Sequence, residues 1–238
     1  MAARSTGKDL LWGQRSQPGR GPKPGLSLDR IAAAAAGIAD TDGLAAISMQ
    51  RVADEFDVTA MSLYRYVPSR NELLDIMTDL ALGPAPQLTE STGWRSALDT
   101  WTRQVHAVLW RHPWLIEAFT RPRCIGPNEL SWLERPVDAL ARTSLTGPER
   151  VNAAVALLGH VHTLVRNGAS MSSTSGRTEP AATIASLLRE HAIDYPALAA
   201  AAADGAFSPN DADGFEFGLR CILDGIDAAI TSTTRPTS

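Results

Sequence analysis

The stretch SMQRVADEFDVTAMSLYRYVPSR, Ser48 to Arg70, decides the fold. Ser48 is a good helix N-cap, because its hydroxyl can accept from a free N–H of the first turn. Met49, Val52, Ala53 and Phe56 follow at helical spacing and make one apolar face over two turns. Asp57-Val58-Thr59 interrupts the pattern. Thr59 is the expected cap of a further short helix running to about Tyr66, with Leu63 and Val67 pointing inward. Ala53 is small enough to let the two helices touch. Two short helices joined by a tight turn are a helix-turn-helix. Pro68 lacks the N–H that a continuing helix needs.

Upstream, Ser27 caps a helix whose Leu28, Ile31, Ala35 and Ile38 share a face, and Thr41-Asp42-Gly43 ends it. Downstream, Ser69 and Glu72 have capping-box spacing, and Leu73, Leu74, Met77, Leu80 and Ala81 form the next apolar face. Gly83-Pro84-Ala85-Pro86 closes that helix and opens a linker. Residues 27–82 therefore read as one helical head.

Residues 90–232 read as a larger, wholly helical second domain. Trp94, Leu98, Trp101, Val105 and Leu109 line one long helix up to His112-Pro113, and Trp114 to Phe119 is a short apolar piece. Gly126-Pro127 introduces a helix with Leu130, Leu133, Val137 and Leu140 on one side. Pro148 begins another, with Val151, Val155, Leu158, His162 and Val165 behind it. Ala169 to Thr178 reads as a loop. Helical patterns recur around Ile184 to His191, over Tyr195 to Ala203, and after Asp211, where Phe215, Leu219, Ile222, Ile226 and Ile230 line up. The fold class is all-α.

Residues 1–26 are rich in Gly, Pro, Ser and Arg and read as a disordered basic arm. They carry a net +4, against −8 for the remainder of a chain whose formal charge is −4. That total argues against non-specific coating of nucleic acid, while the local positive field still favours phosphate within about 10 Å. The apolar run Leu10-Leu11-Trp12 is too short for a secretion signal, and no stretch approaches the roughly 18 apolar residues of a membrane span. The expected location is the cytoplasm, with no membrane partner. Cys124 and Cys221 lack CxxC spacing and are expected to be buried free thiols.

The head resembles the N-terminal pattern of the TetR/AcrR family of transcriptional regulators. Leu63-Tyr64-Arg65-Tyr66-Val67, then Arg70, Leu73 and Leu74, carry the likeness, which covers about Leu28 to Leu82. Arg111-His112-Pro113-Trp114-Leu115, Gly126-Pro127-Asn128-Glu129-Leu130 and Phe215-Glu216-Phe217-Gly218-Leu219 resemble the tetracycline-repressor-like C-terminal domain of one branch. The resemblance implies a homodimeric repressor that places its third helix in the major groove of a palindromic operator, double-stranded DNA. It also implies a C-terminal pocket whose ligand shifts the fourth helix. Gln50, Ala60, Met61, Ser62 and Tyr64 match positions that face base edges. Ser48, Arg51, Thr59, Tyr66 and Arg70 match positions that hold phosphates. Asp57 stands where the family usually has Gly, and Asp tolerates the left-handed region better than most residues. Asp54, Glu55 and Asp57 are expected on the side away from DNA.

For the pocket, the candidates are Trp94, Trp101, His106, Trp110, Trp114, Trp132 and His162, which could wall a site for a small apolar or aromatic effector. Taken singly, each tryptophan reads first as core filler and each histidine as a satisfied structural group; only together do the tryptophans suggest a pocket wall. No ligand-spaced motif supports a metal, and no nucleophile–base set or cofactor motif supports catalysis. Pro148–Asn167 and Asp211–Ile230 are the expected dimer helices, with Ala153, Ala154, Ala156 and Gly159 allowing close approach. A helical adaptor or ligand-binding protein of this fold without sequence-specific DNA binding is the competing reading.

Overall fold

The computed structural model describes residues 7–13, 26–87, 93–172, 180–206 and 213–233. Among them the regular structure is wholly helical. The head comprises α2 (Leu28–Asp42), a 3-10 turn (Leu44–Ala46), α3 (Met49–Asp54), α4 (Ala60–Leu63) and α5 (Arg70–Leu82). The body comprises α6 (Gly93–Arg111), α7 (Trp114–Thr120), α8 (Pro127–Ala139), α9 (Gly147–Ser172), α10 (Pro180–Glu190), α11 (Pro196–Ala203) and α12 (Asp213–Thr233).

The head's helix ends follow the local signals. Ser27 Oγ accepts from Arg30 N at 3.3 Å, and Ser48 Oγ accepts from Arg51 N at 3.1 Å. Ser69 Oγ accepts from Glu72 N at 3.3 Å and donates to the Glu72 carboxylate. Gly43 and Gly83 end α2 and α5 at φ of 80° and 66°, a region that costs a residue with a Cβ. Thr59 departs from expectation. It makes no cap bond, pairing instead with Ser62 Oγ at 3.2 Å, and α4 stops at Leu63 with a turn carrying the chain to Tyr66.

α2 packs on α5 through Ile31, Ala32, Ala35, Leu73, Leu74 and Met77, all fully buried. Each large aliphatic among them contributes on the order of 1.5–3 kcal/mol by burial. α5 is covered on its other side as well. α7 and α8 pack against it, so Asp75, Thr78 and Asp79, polar residues that an amphipathic pattern would leave outside, are buried.

Three expectations about the body need correction. On α8 the buried residues are Trp132 and Pro136, in line with Leu140, while Leu130 is exposed. On α9 the buried row is Ala153, Ala154, Leu157, Val161 and Val165, and Val151 and Val155 are exposed. In both helices the leucines and valines of the expected face include residues that line a cavity, and sequence cannot distinguish an apolar residue facing a cavity from one facing a core. The helix also runs on to Ser172, into the expected loop. Asp211, the expected cap of the last helix, lies outside the described residues.

The basic arm also differs from expectation. Gly7–Trp12 forms a helix, α1, packed on α5. Leu11 is 1% exposed and joins the main core, and Trp12 Nε1 donates to Ile125 O at 3.0 Å in the loop before α8. The three apolar residues outweigh the polar composition around them. Residues 14–25 of the arm lie outside the description. The cysteines also differ from expectation, both being exposed. Cys124 sits in the α7–α8 loop, and Cys221 faces outward on α12.

Candidate functional site

α3 and α4 meet through Val52, Ala53 and Leu63, all fully buried. Asp57 makes the turn between them in the left-handed region at φ 54°, as the sequence requires of a non-glycine there. With Leu63 and Val67 anchored below, α4 turns its other side outward. Met61 is 74% exposed and Tyr64 44%. Ser48, Gln50, Arg51, Thr59 and Tyr66 are also exposed, whereas Ala60, Ser62 and Arg70 are half-buried.

Several of these side chains already have partners. Gln50 Nε2 donates to Asp54 Oδ1 at 2.7 Å. Asp54 therefore shares the face of Gln50, one helical turn on, and is not on the remote side. The bond leaves Gln50 with Oε1 and a second N–H, the pair that a bidentate adenine contact uses. Arg51 is paired with Asp42. Arg70 donates from Nε to Ile47 O at 2.7 Å and from Nη2 to Leu44 O at 3.3 Å. Its guanidinium thus ties the start of α5 to the 3-10 turn ahead of α3, and Arg70 builds the head whatever else it touches. Arg65, not among the expected DNA contacts, is exposed in the turn after α4.

The second site is a cavity of about 270 Å³ in the body, bounded by α6, α8, α9 and the α7–α8 loop. Trp101 and Trp132 form part of its wall. Trp101 Nε1 donates to Trp132 O at 2.8 Å, and Trp132 Nε1 donates to Gly83 O at 2.9 Å. With both N–H groups satisfied by backbone, the indoles offer the cavity carbon only. Phe119, Val155 and Leu158 continue the apolar lining. Arg123, Glu129 and His162 form its polar corner. Arg123 is paired with Glu129, donates to Phe119 O at 3.0 Å, and lies 5.1 Å from the Phe119 ring centroid. His162 stacks on the same ring at 6.1 Å. Burial lowers the His162 pKa below the ordinary 6.5, which favours the neutral ring. Burial also raises that of Glu129, against the pull of Arg123.

This corner is wired to α5. Gly126, the N-cap residue of α8, has no side chain to cap with, and Asp79 of α5 does it instead: its Oδ1 accepts from Glu129 N at 3.1 Å. Asn128 Nδ2 donates to Asp79 O at 2.8 Å, and Cys124 N donates to Asp75 Oδ2 at 3.1 Å. Burial pushes the Asp75 carboxyl up from its usual value, opposed by the Cys124 N–H and by Arg121 and Arg123. A second tie joins head and body where Trp114 Nε1 and His112 Nδ1 both meet Asp40 Oδ1 at 2.6 Å.

Of the expected pocket residues, Trp101, Trp132 and His162 line this cavity. The others do not. Trp94 lines a separate cleft of about 480 Å³ with Arg135 and Arg142. Trp110 stands nine residues after Trp101, which at about 100° per residue places it on the opposite side of α6. It is 53% exposed and stacks with His106 at 5.7 Å. His106 also lies 4.9 Å from Phe215, away from the cavity. Trp114 is buried in the head–body tie. Phe119, Arg123 and Glu129 were missed, since only the fold brings a loop arginine and an N-terminal helix glutamate to an apolar wall.

Among the described residues no helix is long and apolar enough to cross a membrane. A model of the tetracyclin repressor-like C-terminal domain matches residues 85–230. The HTH-type transcriptional repressor DrrR1 of Streptomyces coeruleorubidus is 38% identical over 231 residues, covering 93% of this chain and 85% of that protein. An HTH-type transcriptional regulator of Saccharopolyspora erythraea is 34% identical over 183 residues, covering 74% and 75%. Among solved structures, the TetR family protein ActR of Streptomyces coelicolor in complex with actinorhodin superposes with a TM-score of 0.74 at 28% identity, covering 86% of this chain and 98% of that one. ActR has also been solved with (S)-DNPA. The exposed helix-turn-helix, the wholly helical body and these relatives together place the chain in the TetR family of DNA-binding transcriptional regulators, with a tetracyclin repressor-like C-terminal domain.

Proposed function

We propose that the protein is a dimeric repressor that binds a palindromic operator through α3 and α4 and is released by a small aromatic effector in the 270 Å³ cavity. The observation that carries the reading is the exposed edge of α4. Met61 and Tyr64 stand out from a helix whose other side is locked by Leu63. Exposed apolar and phenolic side chains there fit groove contacts with thymine methyls and base edges. Ser48, Thr59, Tyr66 and Arg51 would hold phosphates, and Arg70 keeps the helix start in place. The repressor sense rests on the relative named as one.

α9 and α12, packed on each other, leave Ala156, Gly159, Phe217 and Cys221 exposed. Two copies joined there would form a four-helix bundle about a two-fold axis. Ala153 and Ala154 face their own subunit's core and take no part. An aromatic effector suits the carbon-faced indoles, and the cytoplasm is the expected site of action. Effector and operator would compete through Asp75 and Asp79, which link the cavity corner to α5. Couplings of about 1–3 kcal/mol are usual for such switches.

The test is a gel shift on DNA from upstream of the protein's own gene. Tyr64→Ala should abolish the shifted band while circular dichroism and dimer mass stay those of the wild type. An undiminished shift would refute the assignment of α4 as the reading helix.

A further inference from the structure

We propose that Arg123 and His162 form an anchor for an oxygen on a neutral aromatic ligand, and that this corner, not the aromatic walls, selects among flat ligands. The inference rests on the cavity being the effector site. The walls cannot discriminate by hydrogen bonding, because Trp101 and Trp132 both donate to backbone carbonyls. Two nitrogens on lining residues, Arg123 Nε and His162 Nε2, are buried without a hydrogen-bond partner. Unpaired buried polar atoms are uncommon and call for an occupant or a function. Both side chains line the cavity and lie against the Phe119 ring.

The chemistry of the corner narrows the ligand. Arg123 Nε is a donor only, and a neutral histidine nitrogen is donor or acceptor according to its tautomer. A carbonyl or hydroxyl oxygen suits either of them. Glu129 already balances the charge of Arg123, so an anionic ligand would meet the carboxylate and a cationic one the guanidinium. A neutral ring ketone or phenol meets neither.

A matched set of probes of one shape tests this on the full-length protein by equilibrium dialysis: 9-fluorenone, fluorene and fluorene-9-carboxylate. Fluorenone should bind about tenfold tighter than fluorene, the ratio that one hydrogen bond to a charged donor supports, and the carboxylate no tighter than fluorene. His162→Phe and Arg123→Met should each reduce the fluorenone preference. The double variant should remove it, the fluorenone-to-fluorene affinity ratio falling to about one. His162→Phe, which keeps an aromatic ring against Phe119, serves on its own if Arg123→Met lowers folded yield. Equal binding of fluorenone and fluorene, tightest binding by the carboxylate, or a preference that survives both substitutions would overturn the anchor alone. If none of the probes binds a protein that still shifts its operator, the anchor and the effector-site reading fall together.

Discussion

Replacing Gly126 by Ala tests the joint between head and body. The backbone there has φ −91°, open to any residue, so the substitution brings no conformational strain. The added Cβ would lie 2.2 Å from Asp79 Oδ1, 2.3 Å from its Cγ and 2.7 Å from its Cβ. Asp79 is 2% exposed and cannot swing into solvent. If its carboxylate moves, α8 loses its cap, at about 0.5–2 kcal/mol. If the loop moves, α8 shifts against α5, at about 1–3 kcal/mol for overpacking. Restricting the unfolded chain returns about 0.4–1 kcal/mol. The net is a loss of up to about 2.5 kcal/mol, centred near 1, or a melting point lower by up to roughly 10 °C at this chain length. Circular dichroism melts at fixed protein concentration give the value. Gly37→Ala is the control, in mid-helix with nothing within 4 Å of the new Cβ. It should raise stability by about 0.5–1 kcal/mol. If Gly126→Ala melts at or above the wild type while Gly37→Ala behaves as stated, Asp79 is not the cap of α8.

Acidification should weaken the fold between about pH 7.5 and 6. Burial holds the His162 and His106 pKa values below the ordinary 6.5, so the unfolded chain takes up protons before the folded one does. His162→Phe should show a shallower fall in urea midpoint over that range, and an identical fall would refute its part. Both cysteines are exposed on one subunit, so if α12 is a dimer helix, Cys124 should react quickly with a thiol reagent and Cys221 slowly. Equal, fast labelling of both would count against that interface. Leu11→Asp should undock α1 and speed tryptic cleavage after Lys8, and an unchanged rate would mean that α1 does not depend on its buried leucine.

Local chemistry was legible in the sequence. Ser27, Ser48 and Ser69 cap helices because a serine hydroxyl at that position lies within reach of the free N–H groups of the first turn. Gly43 and Gly83 end them, and Asp57 makes the turn at the left-handed φ expected of it. What depends on a distant partner was not legible. Asp75 and Asp79 lie outside the apolar stripe that marks α5 in the sequence, yet α8 and its loop cover them and put them to use. Leu130 and Val155 read as core because a cavity wall and a core share the same hydropathy. The tryptophans marked an aromatic body without showing which of them converge. The polar corner has no signature in sequence, since Arg123, Glu129 and His162 come from a loop and two helices.

The docked N-terminal helix bears on how the protein is handled at the bench. Residues just ahead of Gly7 lead straight into a segment resting on α5 and bonded, through Trp12, to the loop that borders the cavity. A purification tag fused there is attached beside this docked segment, and trimming the chain back to Leu26 removes the segment altogether. Dose–response curves from such preparations would describe an altered instrument. A tag placed after Thr233 leaves α1 untouched, and comparing ligand response between the two placements tests whether α1 bears on it.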